Sequence, residues 1–143
     1  MNGKKKILFL CTHNAARSQM AEGFINALYS DRYEAYSAGS EPTEVHSCAI
    51  EVMAEKGIDI ASQRAKPLDE YVDASFDYVV TMCADAQERC PIFPGAIFPG
   101  GIEYIHHAFE DPLSDAGSDS EHCAPFRNAR DKIRDWIATT FAS

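Results

Sequence analysis

No run in this sequence approaches the roughly 18 consecutive apolar residues of a membrane span. Lys4–Lys6 precede Ile7–Leu10 in the charge order of a secretory leader, but that apolar run meets polar Thr12, His13 and Asn14 far too soon. A cytoplasmic protein is therefore expected. Basic residues are scarce: 13 Lys and Arg stand against 22 Asp and Glu, a formal charge of −9. That argues against nucleic acid or an anionic membrane as the main partner, and any site for an anion must be local. Closely spaced cysteine pairs are missing as well. The five cysteines, at 11, 48, 83, 90 and 123, include none at the two-to-four-residue spacing of structural zinc sites. A zinc set of Cys83, Cys90, His122 and Cys123 is disfavoured for that reason. A structural disulfide framework is disfavoured by the reducing compartment. Buried bystanders and redox actors remain. No repeat, low-complexity tract or linker divides the chain, so residues 1–143 are expected to form one domain, long enough for a core of its own.

What is present alternates between strand and helix. Ile7–Leu10 reads as a buried strand, apolar without alternation. Ala21, Phe24, Ile25 and Leu28 then fall on one helical face, with Ser18 as N-cap. Tyr33–Gly39 reads as a second strand. Val45, Ala49, Val52, Met53 and Lys56 mark a second helix ended by Gly57, Phe76–Cys83 a third strand and Ile102–Phe109 a fourth. A C-terminal helix follows from about Ala124, carrying Phe126, Ala129, Ile133, Ile137 and Phe141. The expectation is a three-layer α/β fold, a four-stranded parallel sheet flanked by helices. Sites in such sheets lie beyond the C-terminal strand ends, where Cys11 and Cys83 both fall.

The segment "CTHNAARS" (Cys11–Ser18) joins the first strand to the first helix. Small residues allow the amides of Thr12, His13, Asn14, Ala15 and Ala16 to turn inward as an anion nest. The helix start adds unpaired N–H groups and a positive dipole end. Arg17 supplies a planar fork for two oxygens of a tetrahedral oxyanion. The same positive field favours the Cys11 thiolate, the form that attacks. Asn14 suits a left-handed turn. The arrangement is a nucleophilic sulfur at the base of an oxyanion cradle.

With "YSAG", "GIDI", "VVTMC" and "FEDP", this segment resembles the low-molecular-weight protein tyrosine phosphatase fold along nearly the whole chain. The resemblance implies Cys11 as nucleophile, Arg17 as oxyanion ligand, Ser18 as hydrogen-bond partner of Cys11 and Asp111 as general acid. Taken alone, Asp111 before Pro112 would be a turn residue.

A phosphatase needs one cysteine, yet "CADAQERC" (Cys83–Cys90) adds two more. Were Ala84–Cys90 helical, the pair would stand about 10 Å apart, beyond the roughly 7 Å that a disulfide spans. A bridge between them requires the segment to rearrange. The pattern is similar to thioredoxin-coupled arsenate reductases of the same fold. That resemblance implies a relay in which Cys11 attacks arsenate, Cys83 attacks Cys11 with release of arsenite, and Cys90 takes the disulfide for thioredoxin to reduce. It also implies arsenate as substrate and no required cofactor other than a candidate potassium ion at Asn14, Glu22 and Ser37; a monomer is expected. This chain has His13 where many relatives have glycine and Ala16 where they have cysteine. Leu113 and Ser114 follow Asp111-Pro112 in place of the paired aromatics with which phosphatases grip phosphotyrosine. A bare inorganic oxyanion suits that sequence better.

Two other functions fit part of the pattern. One is a low-molecular-weight tyrosine phosphatase acting through a Cys11 phosphoenzyme, an activity that an arsenate reductase of this fold would retain weakly. The other is a non-catalytic thiol sensor, which has no use for Arg17 and Asp111. Cys48 is expected to be packing, Cys123 a spare exposed thiol, His106 and His107 structural, and Asp111–Glu121 a solvated acidic loop.

Overall fold

The computed structural model describes residues 4–11, 13–39, 41–71, 76–82, 103–107, 109 and 123–141. The elements are β1 (Lys5–Cys11), α1 (Arg17–Leu28), β2 (Tyr33–Gly39), α2 (Ser47–Ala54), a 3-10 turn (Leu68–Tyr71), β3 (Tyr78–Thr81), β4 (Glu103–His106) and α3 (Ala124–Phe141). The four strands form one sheet in the order β2-β1-β3-β4, and every pairing is parallel.

Burial follows the two-residue period of a strand. Ile7, Phe9 and Cys11 of β1 join Val80 and Met82 in the larger core, together with the apolar faces of α1, α2 and α3. Leu8 and Leu10 point the other way and pack with Ala38, Phe76 and Val79, against Tyr36 and Tyr71. With both faces covered, a run such as Ile7–Leu10 can be apolar throughout.

Chain order makes the middle of the sheet special. From β1 the chain moves outward to β2, then returns to place β3 and β4 on the opposite side of β1. The direction of winding therefore reverses between β1 and β3. In open α/β sheets the crevice beyond the C-terminal strand ends at such a switch point is where ligands bind.

Local chemistry sets the element ends. Gly57, at φ 76°, closes α2. Its N–H donates to Ala54 C=O at 2.9 Å and the Ile58 N–H donates to Met53 C=O at 3.1 Å, a Schellman closure that needs a left-handed residue. Gly23 is required for another reason. A Cβ there would stand 2.7 Å from Ile60 Cγ2, so only hydrogen fits where α1 crosses the 58–60 segment.

Three expectations need correction. Leu28 is 55% exposed. It is the last residue of α1, and Tyr29 packs against the core in its place. Ser18 is not an N-cap: α1 begins at Arg17, and Ala16 holds the cap position without a side-chain bond. Cys48 and Cys123 are neither mere packing nor a spare exposed thiol, because they form a disulfide with Cα atoms 5.3 Å apart. Cys48 is the second residue of α2 and Cys123 immediately precedes α3, where it is buried. Packing of these helices brings together two thiols 75 residues apart in sequence. The same helices are tied by Glu55, which accepts from Arg127 and Arg130.

Two stability predictions follow from this helix pair. Closing a loop of 75 residues restricts the unfolded chain, so reduction should cost up to about 4.5 kcal/mol on the chain-entropy account. Urea unfolding with and without dithiothreitol should show a lower midpoint in the reductant, and a Cys48→Ser, Cys123→Ser protein should be indifferent to it. Equal midpoints for the parent would refute the tether. The Glu55 carboxyl is pulled from its ordinary 4.5 to about 2 by hydrogen bonds from Arg127 and Arg130. A depressed folded-state value stabilises above the unfolded value and is lost as pH falls. Glu55→Gln should therefore lower stability at neutral pH, with the difference from the parent shrinking between about pH 4.5 and pH 2.

Candidate active site

β1 ends on Cys11 at the switch point, and residues 13–16 lead directly into α1. Cys11 is a free, buried thiol. Asn14 adopts φ 52°, the left-handed conformation its short amide tolerates, and it is fully buried.

The Cys11 Sγ lies 2.9 Å from Ser18 Oγ, and Asn14 Nδ2 donates to the same Oγ at 2.7 Å. An amide nitrogen can only donate. Ser18 therefore accepts from Asn14 and has its own hydrogen available for the sulfur. A hydroxyl so aimed stabilises negative charge on Cys11 whenever the sulfur carries it. Placing the cap at Ala16, two residues earlier than the sequence suggests, is what turns Ser18 from a cap into this partner.

The carbonyls of the described loop residues 13–16 all have partners. His13 C=O accepts from the Thr43 N–H, Ala15 C=O from the His46 N–H and Ala16 C=O from the Met20 N–H, at 3.1, 2.9 and 2.8 Å. Asn14 C=O accepts from Gln19 Nε2 at 3.0 Å. In a trans peptide the N–H points opposite to the C=O, so the amides of residues 14–17 face away from those partners. Amides so turned, beside a helix start, are the material of an anion nest.

Arg17 is 2% exposed. Its Nη1 donates to Met82 C=O at 3.2 Å and to Phe109 C=O at 3.0 Å. The loop arginine is thus docked on two backbone carbonyls that follow β3 and β4 in the chain. Met82 also donates its N–H to Leu10 C=O at 2.9 Å, which sets it level with the end of β1.

The structure thus brings Cys11, His13, Asn14, Ala15, Ala16, Arg17 and Ser18 together at the end of β1. Thr12, Cys83, Cys90 and Asp111 lie outside the described residues. Residues without a sequence signal also enter. The His46 ring caps α2 by accepting from the Cys48 N–H at 3.0 Å and stacks on Phe126. Gln19 Nε2 donates to Asn14 Oδ1 at 2.9 Å. Lys66 is buried, and its N–H donates to the same Oδ1 at 2.8 Å.

The donors expected for potassium are directed elsewhere. Asn14 Oδ1 already accepts two hydrogen bonds. Glu22 Oε1 accepts from Ser37 Oγ at 2.6 Å and lies 3.7 Å from Lys66 Nζ. Burial pushes the Glu22 carboxyl up and the Lys66 ammonium down, and their attraction opposes both shifts. An ammonium already stands against this carboxylate, and a potassium ion does not fit the set as arranged. Among the described residues no cluster of three or more His, Cys, Asp or Glu could hold a metal, and no helix is long and apolar enough to cross a membrane.

Comparison with known proteins agrees with this geometry. Residues 6–139 match the family described as low molecular weight phosphotyrosine protein phosphatase. An arsenate reductase of Halalkalibacterium halodurans is 41% identical over 136 residues, covering 95% of this chain and 94% of its own length. A solved arsenate reductase in the phosphate-binding state superposes with a TM-score of 0.78 at 31% identity, covering 96% of this chain and 97% of the other. A thioredoxin-dependent arsenate reductase of Corynebacterium glutamicum gives a TM-score of 0.66 at 28% identity, over 99% of this chain and 65% of that one. A sulfur-centred loop at the switch point of a β2-β1-β3-β4 parallel sheet, matched over almost the full sequence, makes this chain a member of the low molecular weight phosphotyrosine protein phosphatase family.

Proposed function

We propose that this protein reduces arsenate to arsenite through three thiols. The Cys11 thiolate attacks arsenic(V), and an oxygen leaves as water to give a Cys11–arsenic adduct. The amides of the loop and the Arg17 guanidinium bind the remaining oxygens, with Asp111 as the proton donor to the departing one. The Cys83 thiolate then attacks Cys11 Sγ. The sulfur–arsenic bond breaks with its electron pair on arsenic, arsenic(III) departs as arsenite, and a Cys11–Cys83 disulfide remains. Cys90 attacks Cys83, frees Cys11 as thiolate and leaves a Cys83–Cys90 disulfide for an external dithiol. Thioredoxin fits that role, since one structural neighbour is a thioredoxin-dependent arsenate reductase.

The observation that carries this reading is the parallel pairing of β1 with β3. It sets Met82, which precedes Cys83 in sequence, beside the Cys11 end of β1, and Arg17 grips the Met82 carbonyl. Arsenate is the substrate favoured by the named relatives. The family also favours a weaker phosphoester hydrolysis through a Cys11 phosphoenzyme, for which Cys83 and Cys90 have no use.

The relay makes each cysteine variant distinct. Cys11→Ser should lose arsenate reduction and phosphoester cleavage together, each by on the order of 10⁴-fold or more. Cys90→Ser should release one arsenite per enzyme and stall with Cys11 bound to Cys83, while phosphoester cleavage in the reduced protein persists. Continuous turnover by Cys90→Ser at the parent rate with thioredoxin would overturn the relay. Arg17→Lys keeps the charge but not the fork, and kcat/KM should fall by about 10²-fold.

A further inference from the structure

We propose that the Lys66 ammonium is the built-in monovalent cation of this protein: it occupies the place of a bound potassium ion beside Glu22 and Ser37 and, through Asn14, positions the Cys11 loop. Lys66 is 7% exposed, unusual for a lysine. Its Nζ donates to Arg64 C=O at 2.8 Å and stands 3.7 Å from Glu22 Oε1, the carboxylate to which Ser37 donates. A buried carboxylate needs a positive partner, and here the partner belongs to the chain.

The backbone of the same residue reaches the site from two directions. The Lys66 N–H donates to Asn14 Oδ1, and Asn14 in turn donates to the Ser18 hydroxyl that faces Cys11. The Lys66 C=O accepts from the Gly39 N–H at 2.9 Å, and Gly39 is the β2 residue paired with Cys11. Placing the ammonium against Glu22 therefore fixes the peptide groups that orient Asn14 and the end of β2. Lys66 is a positioning residue, since it acts through Asn14 and Ser18 and does not touch the sulfur. Among the described residues the acidic groups near it are Glu22 and Glu70, and the nearby basic group is Arg64.

A tethered cation makes the protein indifferent to dissolved potassium, and its removal creates a requirement. The test measures thermal unfolding and the affinity for inorganic phosphate, by calorimetry, in potassium chloride or choline chloride at equal ionic strength. The parent should show the same midpoint and the same phosphate Kd in both salts. Lys66→Ala in choline should melt roughly 3–6 °C lower and bind phosphate about tenfold more weakly, with potassium restoring both. Lys66→Met keeps the stem without the charge, and it should show the same losses with no rescue. Stabilisation of the parent by potassium over choline would overturn the proposal without recourse to any variant. Losses in Lys66→Ala that potassium leaves unchanged would overturn it too, leaving a purely structural lysine. The unfolding measurement does not depend on the arsenate reading. A parent that bound no phosphate would count against that reading while the salt comparison still decided the role of Lys66.

Discussion

The carboxamide of Asn14 is the constraint on which the rest of the site depends. It is buried, held at φ 52°, and satisfied on both ends: Nδ2 on Ser18, Oδ1 on Gln19 and on the backbone of Lys66. An unpaired amide there would carry a full desolvation penalty. In the arrangement observed the Asn14 amide is fully paired and the serine hydroxyl faces sulfur. Preorganisation of this kind is the main electrostatic resource of an oxyanion site, because the dipoles need not reorient when charge arrives.

Arg17 extends that order into the sheet. In the state described here its guanidinium bonds to Met82 and Phe109 carbonyls, so the cradle is coupled to the chain entering two catalytic candidates, Cys83 and Asp111. The relay proposed above needs Cys83 to reach Cys11, and the Arg17 anchor holds Met82, the residue before Cys83 in sequence, at the end of β1. On the opposite side, His13 and Ala15 carbonyls bind the 43–46 segment. His46 then passes the restraint to α2 and, by stacking on Phe126, to α3. The Cys48–Cys123 disulfide joins the same two helices.

The sequence revealed much of this wherever structure is local. Ile7–Leu10, the small residues after Cys11, Asn14 and Arg17 form a strand–loop–helix whose chemistry is contiguous, and β2 spans Tyr33–Gly39 as its composition suggests. Expectation and structure part where contacts beyond the local pattern decide. Ser18 has the spacing of a cap, while its partner is the Cys11 sulfur seven residues back. Cys48 and Cys123 lie 75 positions apart, and only the packing of α2 on α3 makes them neighbours. Lys66 has no local pattern at all. Its role comes from Glu22, Arg64 and Asn14 converging from three parts of the chain.

The central claim is that the sulfur of Cys11 opens a relay that ends on Cys83 and Cys90. Its most direct test is to mix fully reduced protein with arsenate, without any recycling reductant, and to map disulfides by peptide mass alongside the arsenite formed. The account predicts a Cys83–Cys90 bridge in step with arsenite, one for one, while Cys48 and Cys123 show no arsenate-dependent oxidation. Untouched thiols at 83 and 90, or arsenite formed with no bridge between them, would contradict it.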